Sequence, residues 1–122
     1  MQISINKVFL AGNLTRDVDL RYTVKSTAIG TIAIAVNSSY KTKDGKTVDE
    51  VTFIDCEVWG DQAENAAKYL KKGDACMIEG RIKLDQWETK EGDKRSKLKV
   101  RCDRVEYLSN KPQAPAEDTP FD

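Results

Sequence analysis

A chain of 122 residues, 39% hydrophobic and 33% charged, has the size and composition of one globular domain with a real core. No apolar run approaches the roughly 20 residues needed to cross a bilayer. The opening "MQISINKVFLAGN" lacks the regions of a secretion signal, so a cytoplasmic protein with no membrane partner is expected. The 20 Lys and Arg residues balance 20 Asp and Glu, and histidine is absent, which removes the commonest general base.

Residues 3–14 are apolar-rich and predict a first strand, with Gly12 marking a bulge or sharp bend. Residues 28–40, "AIGTIAIAVNSSY", read as a long second strand. The polar stretch "KTKDGKT", residues 41–47, carries an Asp-Gly turn signal. In "VTFIDCEVW", residues 51–59, a period of two puts Thr52, Ile54, Cys56 and Val58 on a core face. Val51, Phe53, Asp55, Glu57 and Trp59 share the other face. Two large aromatics beside two carboxylates need an explanation.

The next segment, "GDQAENAAKYLKKGD", predicts a helix. Asp61 is the expected N-cap, with Glu64 completing a capping box. Ala63, Ala66, Ala67 and Leu70 follow the spacing of one buried face, and Gly73 is the expected stop. Residues 75–87 form the fourth predicted strand, with Cys76, Ile78, Ile82 and Leu84 inward and Met77, Glu79, Arg81, Lys83, Asp85 and Trp87 outward. A charged turn leads to a fifth strand with Leu98, Val100 and Cys102 inward and Lys97, Lys99 and Arg101 outward. The alternation slips at Asp103 and Arg104, which predicts a bulge. Beyond residue 108, "SNKPQAPAEDTPFD" has three prolines and little to bury, so a disordered tail is expected.

Three strands, a helix and two strands is the element order of the OB-fold, an all-β five-stranded Greek-key barrel with one helix. The expected division is a domain over residues 1–108 and an acidic tail over 109–122. That tail holds Lys111 against Glu117, Asp118 and Asp122, which leaves 19 basic and 17 acidic residues in the body.

Cys56, Cys76 and Cys102 are too widely spaced for a zinc site and read as buried free thiols, and no metal or other cofactor is expected. Asp55 and Glu57 stand side by side as an acid pair, but no nucleophile, phosphate loop or ligand set accompanies them, so no catalytic residue is assigned and the protein is read as a non-enzyme. Tyr40, Phe53, Trp59 and Trp87 lie outside the predicted core. A cluster of exposed aromatics marks a binding site or a subunit interface. Aromatic platforms take any base by its π-face, and basic side chains track a phosphate backbone. The basic candidates are Lys41, Lys43 and Lys46 in the first loop and Arg81 and Lys83 on the fourth strand. Lys90, Lys94 and Arg95 in the second hairpin and Lys97, Lys99 and Arg101 on the fifth strand complete the set. The rival readings are an interaction module whose aromatics are buried between subunits and a carboxylate-dependent nuclease.

The run "INKVFLAGNLTRDVDLRYT", with "AENAAKYLKKGD", "IEGRIKLDQWETKEGDKR" and "CDRVEYL", resembles the bacterial single-stranded DNA-binding protein family over residues 5–108. The resemblance implies an OB-fold that assembles, usually as a homotetramer with a dimer as the alternative. It further implies nucleoid-associated binding of single-stranded DNA, without sequence preference, in replication, recombination and repair. It assigns base stacking to Tyr40, Phe53, Trp59 and Trp87, and adds Lys7 and Arg21 to the backbone-tracking set. Where the family often has His then Arg after the aromatic at Phe53, this chain has Ile54 and Asp55, and Glu57 replaces an uncharged residue. Both acids should repel a phosphate track or pair with Lys or Arg on a neighbouring strand. Family tails end in an acidic Pro-Phe tip that recruits replication and repair proteins. Here the implied tip is Asp118, Pro120 and Phe121, with Asp122 added after it.

Overall fold

Strand pairing in the computed structural model, which describes residues 1–108, closes on itself. The elements are β1 (Val8–Leu14), β2 (Asp19–Tyr22), β3 (Ala28–Lys41), β4 (Thr47–Trp59), α1 (Asp61–Tyr69), β5 (Ala75–Glu88) and β6 (Lys94–Tyr107). β1 pairs antiparallel with β5 from Val8 to Asn13 and passes to β3 at Asn13 and Leu14. β3 pairs with β4, β4 runs parallel to β6 at Cys56 and Glu57, and β6 returns to β5. These five strands complete the OB-fold barrel. β2 is an addition to the five predicted strands, hydrogen-bonded to β3. Its four residues are too few for alternation to register in the sequence.

The predicted inward residues Ile54, Cys56 and Val58 on β4 and Cys76 and Ile78 on β5 contribute to the core, with Ile32 and Ile34 of β3 at its centre. From α1, Ala63 and Ala66 join it with Leu70 just beyond, and the small alanines let the helix approach the barrel closely. All three cysteines are buried. Burial, with the neighbouring Cys56, pushes the Cys76 thiol up to about 11. Contact with Cys56 and burial raise Cys102 also. Thiols held protonated in an apolar core are packing groups.

Several expectations need correction. Residues 1–7 lie outside the strand expected to begin at residue 3. Asn6 instead clamps β5 with its amide, donating to the Ile82 carbonyl and accepting from the Ile82 N–H at 2.8 Å each. Gly12 is no bulge, since its register with β5 is unbroken. A Cβ there would stand 2.5 Å from the Ala35 carbonyl oxygen, so the glycine permits a close crossing of β1 over β3. Asp61 is the first helical residue, and no capping box forms. Gly60, at φ 68°, holds the N-cap position, and Glu64 accepts from the Tyr22 hydroxyl. Asp61 and Glu64 still favour the positive end of the helix. The helix stops at Leu70, which is extended, and Gly73 belongs to the turn that follows.

The bulge in β6 is where the sequence predicts it. Glu79 pairs with Arg104 and Gly80 with Cys102, leaving Asp103 as the extra residue. Thr52, Ile82, Leu84 and Leu98, expected inward, are exposed. Their alternation is as predicted, but the β3–β4 and β5–β6 hairpins run past the barrel. β1 begins its pairing with β5 at Gly80, so its ladder does not cover the inward side of the projecting hairpin. No helix among the described residues is long and apolar enough to cross a membrane.

Candidate nucleic-acid interface

The outer faces of β3, β4, β6 and β5 form one continuous surface. β3 offers Thr31, Ala33 and Ala35 opposite Glu57, Asp55 and Phe53 of β4. These small side chains leave β4's larger ones standing proud. The parallel register of β4 with β6 sets Glu57 beside Arg101. Arg81, Lys83, Asp85 and Trp87 of β5 then face Arg101, Lys99, Lys97 and Arg95.

Phe53 is 69% exposed and Trp87 49%. Trp87 borders a shallow cleft of about 450 Å³ with Gln86, Glu88, Lys94, Arg95 and Ser96. Tyr40 is equally exposed, but the unbroken β3–β4 ladder puts it on the opposite face from Phe53, near the hairpin tip. Trp59 is half-buried and engaged. Its indole N–H donates to Glu57 at 3.0 Å, and the Arg101 guanidinium lies 4.7 Å from its ring centre.

The acids on this face are matched by lysines. Lys97 Nζ donates to Asp55 at 2.6 Å, and Arg16 approaches the same carboxylate at 4.0 Å. Lys99 Nζ bridges Glu57 at 2.7 Å and Asp85 at 2.5 Å. Burial opposes the charge on Glu57, but the Lys99 ammonium and the Trp59 N–H outweigh it and hold the carboxyl below its ordinary range. Burial likewise opposes the charge on Lys99, and Asp85 and Glu57 overcome it, raising its pKa. Hydrogen bonding from Lys99 lowers Asp85 in turn. The network lines a cleft of about 160 Å³ that Arg21 of β2 also borders.

The basic candidates therefore divide. Lys7 pairs with Glu79 at 2.7 Å, Arg81 with Asp103 at 3.9 Å and Arg95 with Asp93 at 3.8 Å, while Lys97 and Lys99 hold carboxylates. Among the described residues, Arg21, Lys41, Lys43, Lys46, Lys83, Lys90, Lys94 and Arg101 have no ion-pair partner within 4.0 Å. These gather around the two hairpins and the face between them. Arg16 and Asp85 are members of the charge network that the sequence did not single out. The β4–β6 register that brings Lys97 to Asp55 is set across 42 residues of chain, beyond any local pattern. Asp118, Pro120 and Phe121 lie outside the described residues.

Residues 5–108 match the model of the single-strand binding protein family. The chain is 47% identical over 106 residues to the single-stranded DNA-binding protein of Wolinella succinogenes, covering 87% of this chain and 65% of that protein. It is 41% identical to that of Helicobacter hepaticus, covering 95% of this chain and 67% of that one. This chain thus spans about two thirds of the length of these relatives. Among solved structures it is similar to the single-stranded DNA-binding protein of Thermus aquaticus. There the TM-score is 0.76 at 32% identity, over 88% of this chain and 52% of that one. A Plasmodium falciparum protein solved with single-stranded DNA shares the fold at TM-score 0.82 and 16% identity, over 89% of this chain and 99% of that one. With the match covering nearly all of the described barrel, the chain belongs to the single-strand binding protein family.

Proposed function

We propose that this protein binds single-stranded DNA without sequence preference, as a non-enzymatic partner of replication, recombination and repair. The observation that carries the reading is the pair of exposed aromatics, Phe53 and Trp87, on one barrel face between two hairpins of unpaired lysines. A base stacked on an aromatic side chain is worth about 1–3 kcal/mol, a magnitude established for single-strand binders of this type. Stacking selects for unpaired bases and is indifferent to which base is present. Lys41, Lys43, Lys46, Lys83, Lys90 and Lys94 then track phosphates, with Arg21 at the β2 edge, while Lys97 and Lys99 balance acids. Tyr40 extends the stacking path around the hairpin tip. The names of the relatives support the same reading.

The proposed DNA-binding domain is residues 1–108, and residues 109–122 are the proposed tail whose Asp118, Pro120 and Phe121 meet partner proteins. A second copy of the chain covers Ile82, Leu84 and Leu98, which point away from Trp87 and of which Ile82 and Leu98 border a cleft with Ile54. Assembly through that side, as a homotetramer, leaves the aromatic face open. The competing reading, in which the aromatics are themselves the interface, is thereby disfavoured. Competition against a labelled oligothymidylate tests the proposal. Unlabelled single strand of any composition should displace it, and duplex of equal length should not. Equal displacement by duplex would sink the reading.

A further inference from the structure

Three aromatics of the binding face each have an acid two residues away on the same strand: Asp55 beside Phe53, Glu57 beside Trp59 and Asp85 beside Trp87. The ladders through these residues are unbroken, so alternation puts each acid on the side of its aromatic, about 7 Å along the strand. An acid at that spacing is within reach of the edge of a base laid over the ring. The three differ in what they have left to offer. Glu57 is fully engaged, since one oxygen accepts from the Trp59 indole at 3.0 Å and the other from Lys99 at 2.7 Å. Asp85 accepts from Lys99 through Oδ2, and Asp55 accepts from Lys97 through Oδ2. Among the described residues nothing donates a hydrogen bond to Oδ1 of Asp85, and Oδ1 of Asp55 meets only Arg16, at 4.0 Å. The Asp85 and Asp55 side chains are 38% and 29% exposed, against 13% for Glu57, and both line the same cleft of about 160 Å³.

A carboxylate oxygen anchored on one side by an ammonium and open on the other accepts N–H groups and repels carbonyl oxygens. Bases differ on this point at their edges. Cytosine presents a 4-amino donor where thymine presents the O4 acceptor, and adenine likewise carries an amino group. Lys99, the cation nearest Asp85, holds two carboxylates and is only 17% exposed, so it is poorly placed to answer a thymine O4. We infer that Asp55 and Asp85 are base-edge acceptors: each takes an exocyclic amino N–H of a base stacked on the neighbouring Phe53 or Trp87. Every strand still binds, because stacking and phosphate tracking need no particular base. Strands of amino-bearing bases bind more tightly, relative to thymine, than stacking alone allows. This inference rests on the proposed single-strand binding and deepens it, and it gives the two acids a reason to stand beside aromatics.

Removing either charge also frees a lysine and strengthens binding to every strand, so the test reads a ratio of affinities. Oligodeoxycytidylate and oligothymidylate of equal length are titrated above neutral pH, where cytosine stays unprotonated and its strand does not pair with itself. The proteins compared are wild type, Asp55→Asn, Asp85→Asn and the double variant, since an amide both donates and accepts and so loses the discrimination. The ratio of cytidylate to thymidylate affinity should be about fivefold higher for wild type than for the double variant, with each single variant between them. An unchanged ratio in the double variant would overturn the inference. A second measurement alters the strand instead of the protein. Replacing cytosine by 2-pyrimidinone, which keeps the ring and loses the 4-amino group, should weaken wild-type binding about fivefold more than double-variant binding. Equal losses in the two proteins would mean that only stacking is read, and the inference would fall. Wild-type protein that binds neither oligonucleotide would remove the proposed function, and this inference with it. Binding of both with a ratio that no variant alters removes the inference alone.

Discussion

Asp55 and Glu57 share a face with Phe53 and Trp59, and each meets a lysine of β6. The Asp55 pair is exposed on the lysine side, where ion pairs contribute about 0–1 kcal/mol to stability, so its larger effect is on what Lys97 can do. Replacing the acid releases Lys97 and adds a cation. Asp55→Arg should therefore tighten oligothymidylate binding several-fold at low salt and steepen the salt slope by about 0.7–1.4, measured by titration at three salt concentrations. Glu57 is more enclosed, and removing its carboxylate leaves the Trp59 N–H without its acceptor. Glu57→Ala should cost about 1–2 kcal/mol of stability at neutral pH by thermal denaturation. The folded-state pKa of Glu57 is depressed, so its contribution is complete above the ordinary carboxyl value of 4.5 and disappears as the pH falls through the folded value. Lys99 is raised, so its share persists up to its ordinary 10.5 and is lost only as the pH rises through the higher folded value. The unfolding midpoint of wild-type protein should fall on acidification below pH 4.5, and Glu57→Gln should flatten part of that fall. At this scale the sequence supplied the acids, the aromatics and the period of two. It did not supply the partners, because a parallel pairing of β4 with β6 is a long-range event.

Elements were legible as far as their own periodicity reached. Every predicted strand exists, and the helix carries the buried face that Ala63, Ala66 and Leu70 predict. The bulge at Asp103 was legible because one inserted residue reverses alternation for all that follow. What alternation cannot tell is where the barrel ends. Ile82, Leu84 and Leu98 hold the inward phase of their strands and yet are exposed, because the hairpin outruns the layers beneath it. Nor did composition give the cap of α1, where Gly60 replaces the expected Asp61 side-chain bond with a backbone geometry. Opposite the bulge, a Cβ on Gly80 would stand 2.2 Å from the Arg101 carbonyl oxygen. Gly80→Ala must push the β5–β6 ladder apart at that point. It should cost about 2–3 kcal/mol by chemical denaturation, and it should weaken DNA binding in the folded fraction by displacing Arg101.

Closure of five strands into a ring leaves the whole molecule with two differently coloured sides. One side carries Phe53, Trp87 and the charge network, and the other carries the exposed aliphatics of the β5–β6 hairpin. An exposed apolar patch of this kind marks an interaction surface, and a second copy is the proposed cover. Light scattering should give a mass of four chains for wild-type protein, and Leu98→Lys should lower it while leaving circular dichroism unchanged. A monomeric wild-type mass would remove the proposed assembly. The central claim is that the aromatic side is a surface for unpaired bases. Its most direct measurement is tryptophan fluorescence during titration with oligothymidylate at low and high salt, with duplex of equal length as control. Strong quenching by the single strand is expected, dominated by Trp87, weakened by salt and absent with duplex. No quenching by the single strand at low salt would contradict it, and the exposed aromatics would then serve an interface between chains.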